Sequence, residues 1–275
     1  MSKKYFAVSD THSFYNELIE ALNQNKFDLD NPDHILLLLG DAFDRGDQSV
    51  EIFNFLKDLQ SKDRLIYITG NHEDLLFECL SDISNGYVPG GHHFSNGTVK
   101  TLIDITGIPY KEFYKFPTQD FIKEVFDKTE ELRDFIRANS VNYFTLGNKI
   151  FVHSWIPLDG EKIYPDWDKE PTVENISKYW RLWREARWGN PFAYWKHGLF
   201  PEGKCIVFGH WHCSYGHSWM DQETKEWPPM NQPEKVKKAF SPWIKENAIG
   251  IDACCAYTHK INCLVFDENG EITNV

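Results

Sequence analysis

The apolar residues of this chain gather in short runs, and stretches with helical spacing separate the first of them. Runs at residues 5–9, 35–39, 65–69, 149–152, 205–208, 248–251 and 261–266 are strand-sized and end in a polar residue or a glycine turn. Between the early runs, apolar positions recur at helical spacing over 14–22, 49–59 and 73–80. Strand alternating with helix predicts an α/β core with parallel strands. From about residue 81 to 146 the rhythm breaks. A glycine-rich loop with Gly86, Gly90 and Gly91 precedes helical patterns at 98–105 and 118–138, so the span reads as a mainly helical insertion over one edge of the core. Residues 155–202 are polar, aromatic and rich in proline and glycine, and read as an elaboration packed by its own aromatic side chains. Residues 1–275 together have the size of a single domain.

The residues that close the strands carry the candidate chemistry. The first run ends Ser9-Asp10-Thr11-His12, and the second leads into Gly40-Asp41-Ala42-Phe43-Asp44-Arg45-Gly46. The third leads into Gly70-Asn71-His72-Glu73, the fourth into His153, and the fifth into Gly209-His210-Trp211-His212. The carboxyl ends of parallel strands share one edge of a sheet, so these separate positions converge on one crevice. Two Asp, one Asn and up to five His would meet there. Packing disfavours such a gathering, because each buried charge or unpaired polar atom costs on the order of several kcal/mol. Bound metal favours it. Carboxylate, imidazole and amide oxygen without thiolate suit Mn²⁺, Fe or Zn²⁺. So many ligand candidates exceed one tetrahedral site and suit two ions that share a bridging carboxylate and a bridging hydroxide. Such a pair brings the pKa of bound water towards neutrality and can clamp a phosphoryl group, so the implied reaction is hydrolysis of a phosphoester.

Composition then removes other classes. The chain carries 29 Lys and Arg against 41 Asp and Glu, a net charge of −12, and no marked basic patch, which argues against a nucleic-acid partner. No apolar run approaches the roughly 18 residues of a membrane span, and the opening MSKKYFAVSD has no apolar core for a secretory signal, so a cytoplasmic protein is expected. The six cysteines are scattered without a C-x-x-C pair and are expected to be free thiols. All ten tryptophans lie between Trp155 and Trp243, which leaves the first half of the chain with none.

Taken together, Asp10-x-His12, Gly40-Asp41-x-x-Asp44-Arg45-Gly46, Gly70-Asn71-His72-Glu73, His153 and Gly209-His210-x-His212 resemble the calcineurin-like metallophosphoesterases. The Asp-Arg-Gly ending of the second motif is similar to the branch holding Ser/Thr protein phosphatases, bacterial relatives of the phage lambda phosphatase, and symmetrical diadenosine tetraphosphatases. The motifs span Asp10 to His212, about three-quarters of the chain, in the family's order. The resemblance implies two facing mixed β-sheets flanked by helices. It places Asp10 and His12 on a first metal with His212 completing that site, Asp41 as the bridge, and Asn71, His153 and His210 on the second metal. His72 would protonate the leaving group with Asp44 holding its charged form, and Arg45 would contact a phosphate oxygen. A further phosphate-binding arginine is expected after a tryptophan, with Arg184 the candidate. Two divalent ions are implied, Mn²⁺ first and Fe or Zn²⁺ as alternatives.

Singly, these residues have plainer readings. Asp10 or Asp41 could cap a helix, and His153 could be a satisfied core histidine. Five motifs on five strand ends leave little room for those readings jointly. His92 and His93 sit in the glycine-rich stretch and read as a solvated loop. Three functions therefore compete: a Ser/Thr protein phosphatase-like phosphomonoesterase in the lead, a hydrolase of nucleotides or dinucleoside polyphosphates with tryptophans stacking on bases, and a catalytically silent metal-binding scaffold. Ser154 and Trp155 after His153, Trp211 between two histidines, and Ala253-Cys254-Cys255 in the closing segment depart from the family pattern beside the pocket. They leave the substrate open.

Overall fold

The computed structural model describes residues 2–274. Among the described residues, twelve strands run in chain order: β1 (Lys4–Val8), β2 (His34–Leu38), β3 (Leu65–Ile68), β4 (Ser140–Val141), β5 (Tyr143–Leu146), β6 (Lys149–Val152), β7 (Leu158–Asp159), β8 (Lys162–Ile163), β9 (Cys205–Phe208), β10 (Trp243–Lys245), β11 (Ala248–Gly250) and β12 (Leu264–Phe266). The helices are α1 (Tyr15–Gln24), α2 (Ser49–Ser61), α3 (Asn71–Ser84), α4 (Gly91–Asn96), α5 (Thr98–Thr106), α6 (Gln119–Asn139), α7 (Ile176–Arg187), α8 (Pro191–Lys196), α9 (Cys213–Tyr215), α10 (Pro233–Phe240) and α11 (Cys255–Thr258).

Two five-stranded sheets result, ordered β12-β1-β2-β3-β4 and β10-β11-β9-β6-β5. Each is mixed. β1, β2, β3 and β4 are parallel with β12 antiparallel at one edge. β11, β9 and β6 are parallel with β10 and β5 antiparallel outside them. Side chains on a strand alternate between faces, so a strand covered on both sides is apolar throughout. β2 is such a strand: Leu37 and Leu39 face the second sheet, together with Ala7, Phe151 and Val207, while Leu36 and Leu38 pack under helices. The layers are therefore helices, sheet, sheet, and a second outer cover.

That outer cover comes from the aromatic segment. Ile150, Val152, Ile206 and Phe208 turn their outer faces onto Trp155, Trp167, Trp183, Phe192 and Trp243. The elaboration packs on the second sheet as well as on itself. In the span 81–146, the helices α4, α5 and α6 lie where apolar spacing or the glycine stretch leads into them, but residues 140–146 form β4 and β5. β4 closes one sheet and β5 opens the other, so this stretch carries the chain between the two layers. Two further boundaries differ from the sequence pattern. α3 begins at Asn71 rather than Glu73, because the Glu73 side chain caps it from Gly70, and only Leu264–Phe266 of the closing run pairs as strand. His92 and His93, expected in a solvated loop, stand on α4, with His93 buried.

Candidate metal centre and substrate cleft

β1, β2, β3, β6 and β9 end at a common crevice, and the residues after them form a cleft of about 330 Å³ lined by Asp10, His12, Asp41, Asn71, His72 and His210. The backbone is forced there. Asp10, His12, Asp41, Asp44, Arg45 and His210 all have φ between 46° and 77°, a region that non-glycine residues seldom occupy and that clusters at functional sites. Glycines let the loops close on one another: a Cβ on Gly209 would stand 2.3 Å from Asp10 Oδ2, and one on Gly70 would stand 2.2 Å from Asp41 Oδ1.

Asp41 sits at the centre. His72 N donates to its Oδ1 (2.9 Å), and the same oxygen lies 3.3 Å from His153 Nε2. Its Oδ2 faces the other way, 3.8 Å from both His12 Nε2 and His72 Nε2. Carbonyls fix the tautomers. His12 Nδ1 donates to Phe43 O (3.0 Å) and His153 Nδ1 donates to Leu39 O (2.7 Å), since a carbonyl can only accept. Both rings thus point an Nε2 lone pair inward while neutral, and burial pushes their pKa values down. His153 Nε2 then confronts Asn71 Oδ1 at 2.8 Å, acceptor against acceptor. His210, pushed down to about 3 by burial and the neighbouring His153, adds a further neutral imidazole, and its backbone N–H holds Asp10 Oδ2 at 2.9 Å. Asp10 is pushed well above the usual carboxylate range by burial and by the charges of Asp252 and Asp41.

Buried acceptors aimed at common points, with too few protons between them, fit cations. At the cleft, two groups among the described residues meet the spacing, His12 with Asp41 and His72, and Asp41 with His153 and His210, and Asp41 belongs to both. Asp10 Oδ1 borders the first, 4.0 Å from His12 Nε2.

Within the first group, His72 turns its other ring nitrogen away from Asp41, and that Nδ1 lies 2.7 Å from Asp44 Oδ2. Burial alone would lower the His72 pKa; the charges of Asp41 and Asp44 and this hydrogen bond outweigh it and raise it. Arg45 Nη2 lies 3.4 Å from His72 Nε2, with the guanidinium exposed over the cleft. Two expected residues are placed elsewhere or differently. Arg184 is outside the cleft on the exposed side of α7, where its Nη2 donates to Glu78 Oε2 (3.2 Å). His212 lines the cleft but is not grouped with the other candidate ligands. Its Nδ1 meets Ser214 Oγ at 2.5 Å, its ring lies 4.0 Å from Tyr215 and 4.5 Å from Trp227, and burial and Arg45 lower its pKa to about 4. The aromatic residues around it hold it in the wall.

Several residues that strand-end reading does not single out complete the site. Glu73 accepts from Gly70 N (2.6 Å), Asp41 N (3.0 Å), Ala42 N (3.0 Å) and Tyr67 OH (2.7 Å), so it fastens the second and third motifs together. Its pKa is raised to about 7 by burial and Asp41. Its place three residues after Gly70 is a capping-box spacing and is visible in sequence. Thr98 Oγ1 and Thr101 Oγ1 donate to the Asp44 carboxylate (2.9 and 2.7 Å), and neither stands at a strand end. Asp252, buried in the cleft, follows an apolar run as Asp10 and Asp41 do. Trp188, Trp211, Tyr215 and Trp227 form an aromatic wall, with Trp188 43% and Trp227 47% exposed.

A crevice of buried acceptors at the strand ends of a two-sheet α/β fold is the setting of a metal-dependent hydrolase. The chain belongs to the calcineurin-like phosphoesterase family, whose sequence profile matches residues 3–248. A relative, the asymmetrical bis(5'-nucleosyl)-tetraphosphatase PrpE of Bacillus velezensis, is 30% identical over 98% of this chain and 91% of its own. The symmetrical bis(5'-nucleosyl)-tetraphosphatase of Proteus mirabilis is 39% identical over 29% of this chain and 28% of that protein. Among solved structures, a putative diadenosine tetraphosphatase aligns with 100% of this chain and 94% of its own at 16% identity and a TM-score of 0.48. The chain is accordingly a metal-dependent phosphoester hydrolase.

Proposed function

We propose that the chain hydrolyses dinucleoside polyphosphates, with Asp10, His12, Asp41, Asn71, His153 and His210 holding two divalent ions. The carrying observation is the aromatic wall: Trp188, Trp211, Tyr215 and Trp227 border the cleft, and exposed indole faces beside a phosphate site suit a stacked base. The 30% identical relative, named a bis(5'-nucleosyl)-tetraphosphatase, supports this order over the phosphomonoester reading favoured from the motifs. Oxygen and imidazole donors without thiolate suit Mn²⁺, with Fe or Zn²⁺ as alternatives. When bound, such ions lower the pKa of water and draw charge from a phosphoryl group.

The protein's own groups supply the rest. Arg45 presents a planar fork to a phosphate oxygen beside His72. His72, held by Asp44 with its Nε2 towards the cleft, gives a proton to the departing phosphate oxygen as the new P–O bond to water forms. Asp44 keeps the imidazolium stable until that transfer.

Rates measured with Mn²⁺-loaded protein on a diadenosine polyphosphate, a mononucleotide and a phosphopeptide test the reading. The first is expected to exceed the others by about 100-fold in kcat/KM, roughly 2.7 kcal/mol of discrimination. Trp188→Ala with Trp227→Ala should raise KM for the dinucleotide by about tenfold or more while leaving a small aryl phosphate unaffected, given stacking energies of about 1–3 kcal/mol per base. Preference for the phosphopeptide would return the protein to a phosphatase role.

A further inference from the structure

One group of side chains outside the cleft remains without a role. His93 on α4 is fully buried, yet neither ring nitrogen makes a hydrogen bond among the described residues. An unsatisfied buried polar group costs about 1–3 kcal/mol. Glu78 and Asp82, one turn apart on α3, and His92 on α4 surround it. Glu78, His92 and His93 each present one ligand atom, all within 4.8 Å of one another. His92 Nε2 is 3.4 Å from Glu78 Oε1, and His93 Nε2 is 3.6 Å from Asp82 Oδ2. Ligands about 2.0–2.2 Å from zinc in a tetrahedron stand roughly 3.4 Å apart, so both separations match the edge of such a site.

The surroundings agree with that reading. Arg184 holds the second oxygen of Glu78, which turns Oε1 towards His92 as outer partners orient ligands. A charged His92 paired with Glu78 would explain that contact alone and would leave the buried His93 unexplained. His93 itself is kept neutral by burial and by His92, with a lone pair available. His92 and Glu78 reach solvent, which provides an entry path and room for a water ligand.

We propose that Glu78, His92 and His93, with Asp82 beside His93, form a site for a divalent transition-metal cation such as Zn²⁺, separate from the cleft. It shares no residue with either catalytic group. An ion there would fasten α4 to α3 just before Gly97, Thr98 and Thr101, the residues that support Arg45 and Asp44.

Zinc titration with metal counting by mass spectrometry compares the natural chain with His92→Ala/Glu78→Gln. The natural chain is expected to retain one more ion per molecule, and equal numbers in two folded proteins would overturn the site. Protection of His92 in the natural chain from diethylpyrocarbonate, read on the peptide, needs no variant. Saturating Zn²⁺ should slow its modification at least fivefold, and an unchanged rate would overturn the proposal.

Discussion

Asp44 takes hydrogen bonds from Thr98 Oγ1, Thr101 Oγ1 and the His72 ring, while its own backbone N–H donates to Thr101 Oγ1 at 2.9 Å. Its carboxylate is therefore aimed from several sides, and the aim depends on a helix more than 50 residues further along the chain. Thr101→Val keeps the shape and removes the hydroxyl, leaving a buried amide and a carboxylate oxygen short of partners. Urea unfolding should show a loss of about 1–3 kcal/mol, and turnover should fall more for esters with poor leaving groups than for activated ones. An equal loss on both ester classes would count against the Asp44 and His72 pairing as an acid. The motif residues were legible because each follows a strand, where polar chemistry needs an explanation. Thr98 and Thr101 were not, because a threonine in a helix has nothing to distinguish it until its partner is known. The surroundings of Arg184 and His212 are hidden for the same reason: only the tertiary contacts with Glu78 and with Ser214, Tyr215 and Trp227 decide where they point.

At the scale of elements, α4 and α5 meet at Gly97, whose φ of +92° ends one helix and starts the next. A Cβ there would stand 2.2 Å from Arg45 N, so the joint is pressed directly on the phosphate-facing loop. Gly97→Ala is expected to cost about 1–3 kcal/mol in stability, from the left-handed backbone and the close approach together. Arg45 should shift with it, raising KM for every phosphate substrate by several-fold in steady-state assays. Periodicity predicted α1, α2, α5 and α6 to within a few residues, because each buries one apolar face in the core that covers the first sheet. It did not separate β4 and β5 from the helical span before them. Those strands are short and partly exposed, and their pairing depends on where the chain crosses between layers.

Across the whole molecule, the candidate centre joins two layers. Asp10, Asp41 and Asn71 come from the first sheet's strand ends, and His153 and His210 from the second's. Asp10, Asp41 and Asp252 are all buried at this seam, where their mutual repulsion opposes closure in the absence of cations. Chelation should therefore lower the melting temperature, and added Mn²⁺ should restore it in proportion to RT ln(1 + [L]/Kd). Differential scanning calorimetry at several Mn²⁺ concentrations measures this, and a melting temperature indifferent to Mn²⁺ would remove the ions from the seam. The α/β core was visible in sequence as strand and helix alternation, and the two facing sheets only through the family resemblance, whereas the pairing of edges was not.

The two layers also differ in a way that light can report. No tryptophan occurs before Trp155, and Trp155, Trp167, Trp183 and Trp243 are buried on the outer face of the second sheet, with Trp195 and Trp211 packed against them. The helices covering the first sheet contribute phenylalanine, leucine and isoleucine to their core. Intrinsic tryptophan emission from this protein is thus the signal of a single sheet and the cleft wall beside it. A change in that emission on adding a nucleotide locates an event at that wall, while loosening confined to the first sheet leaves the spectrum dark to it and has to be followed by ellipticity instead.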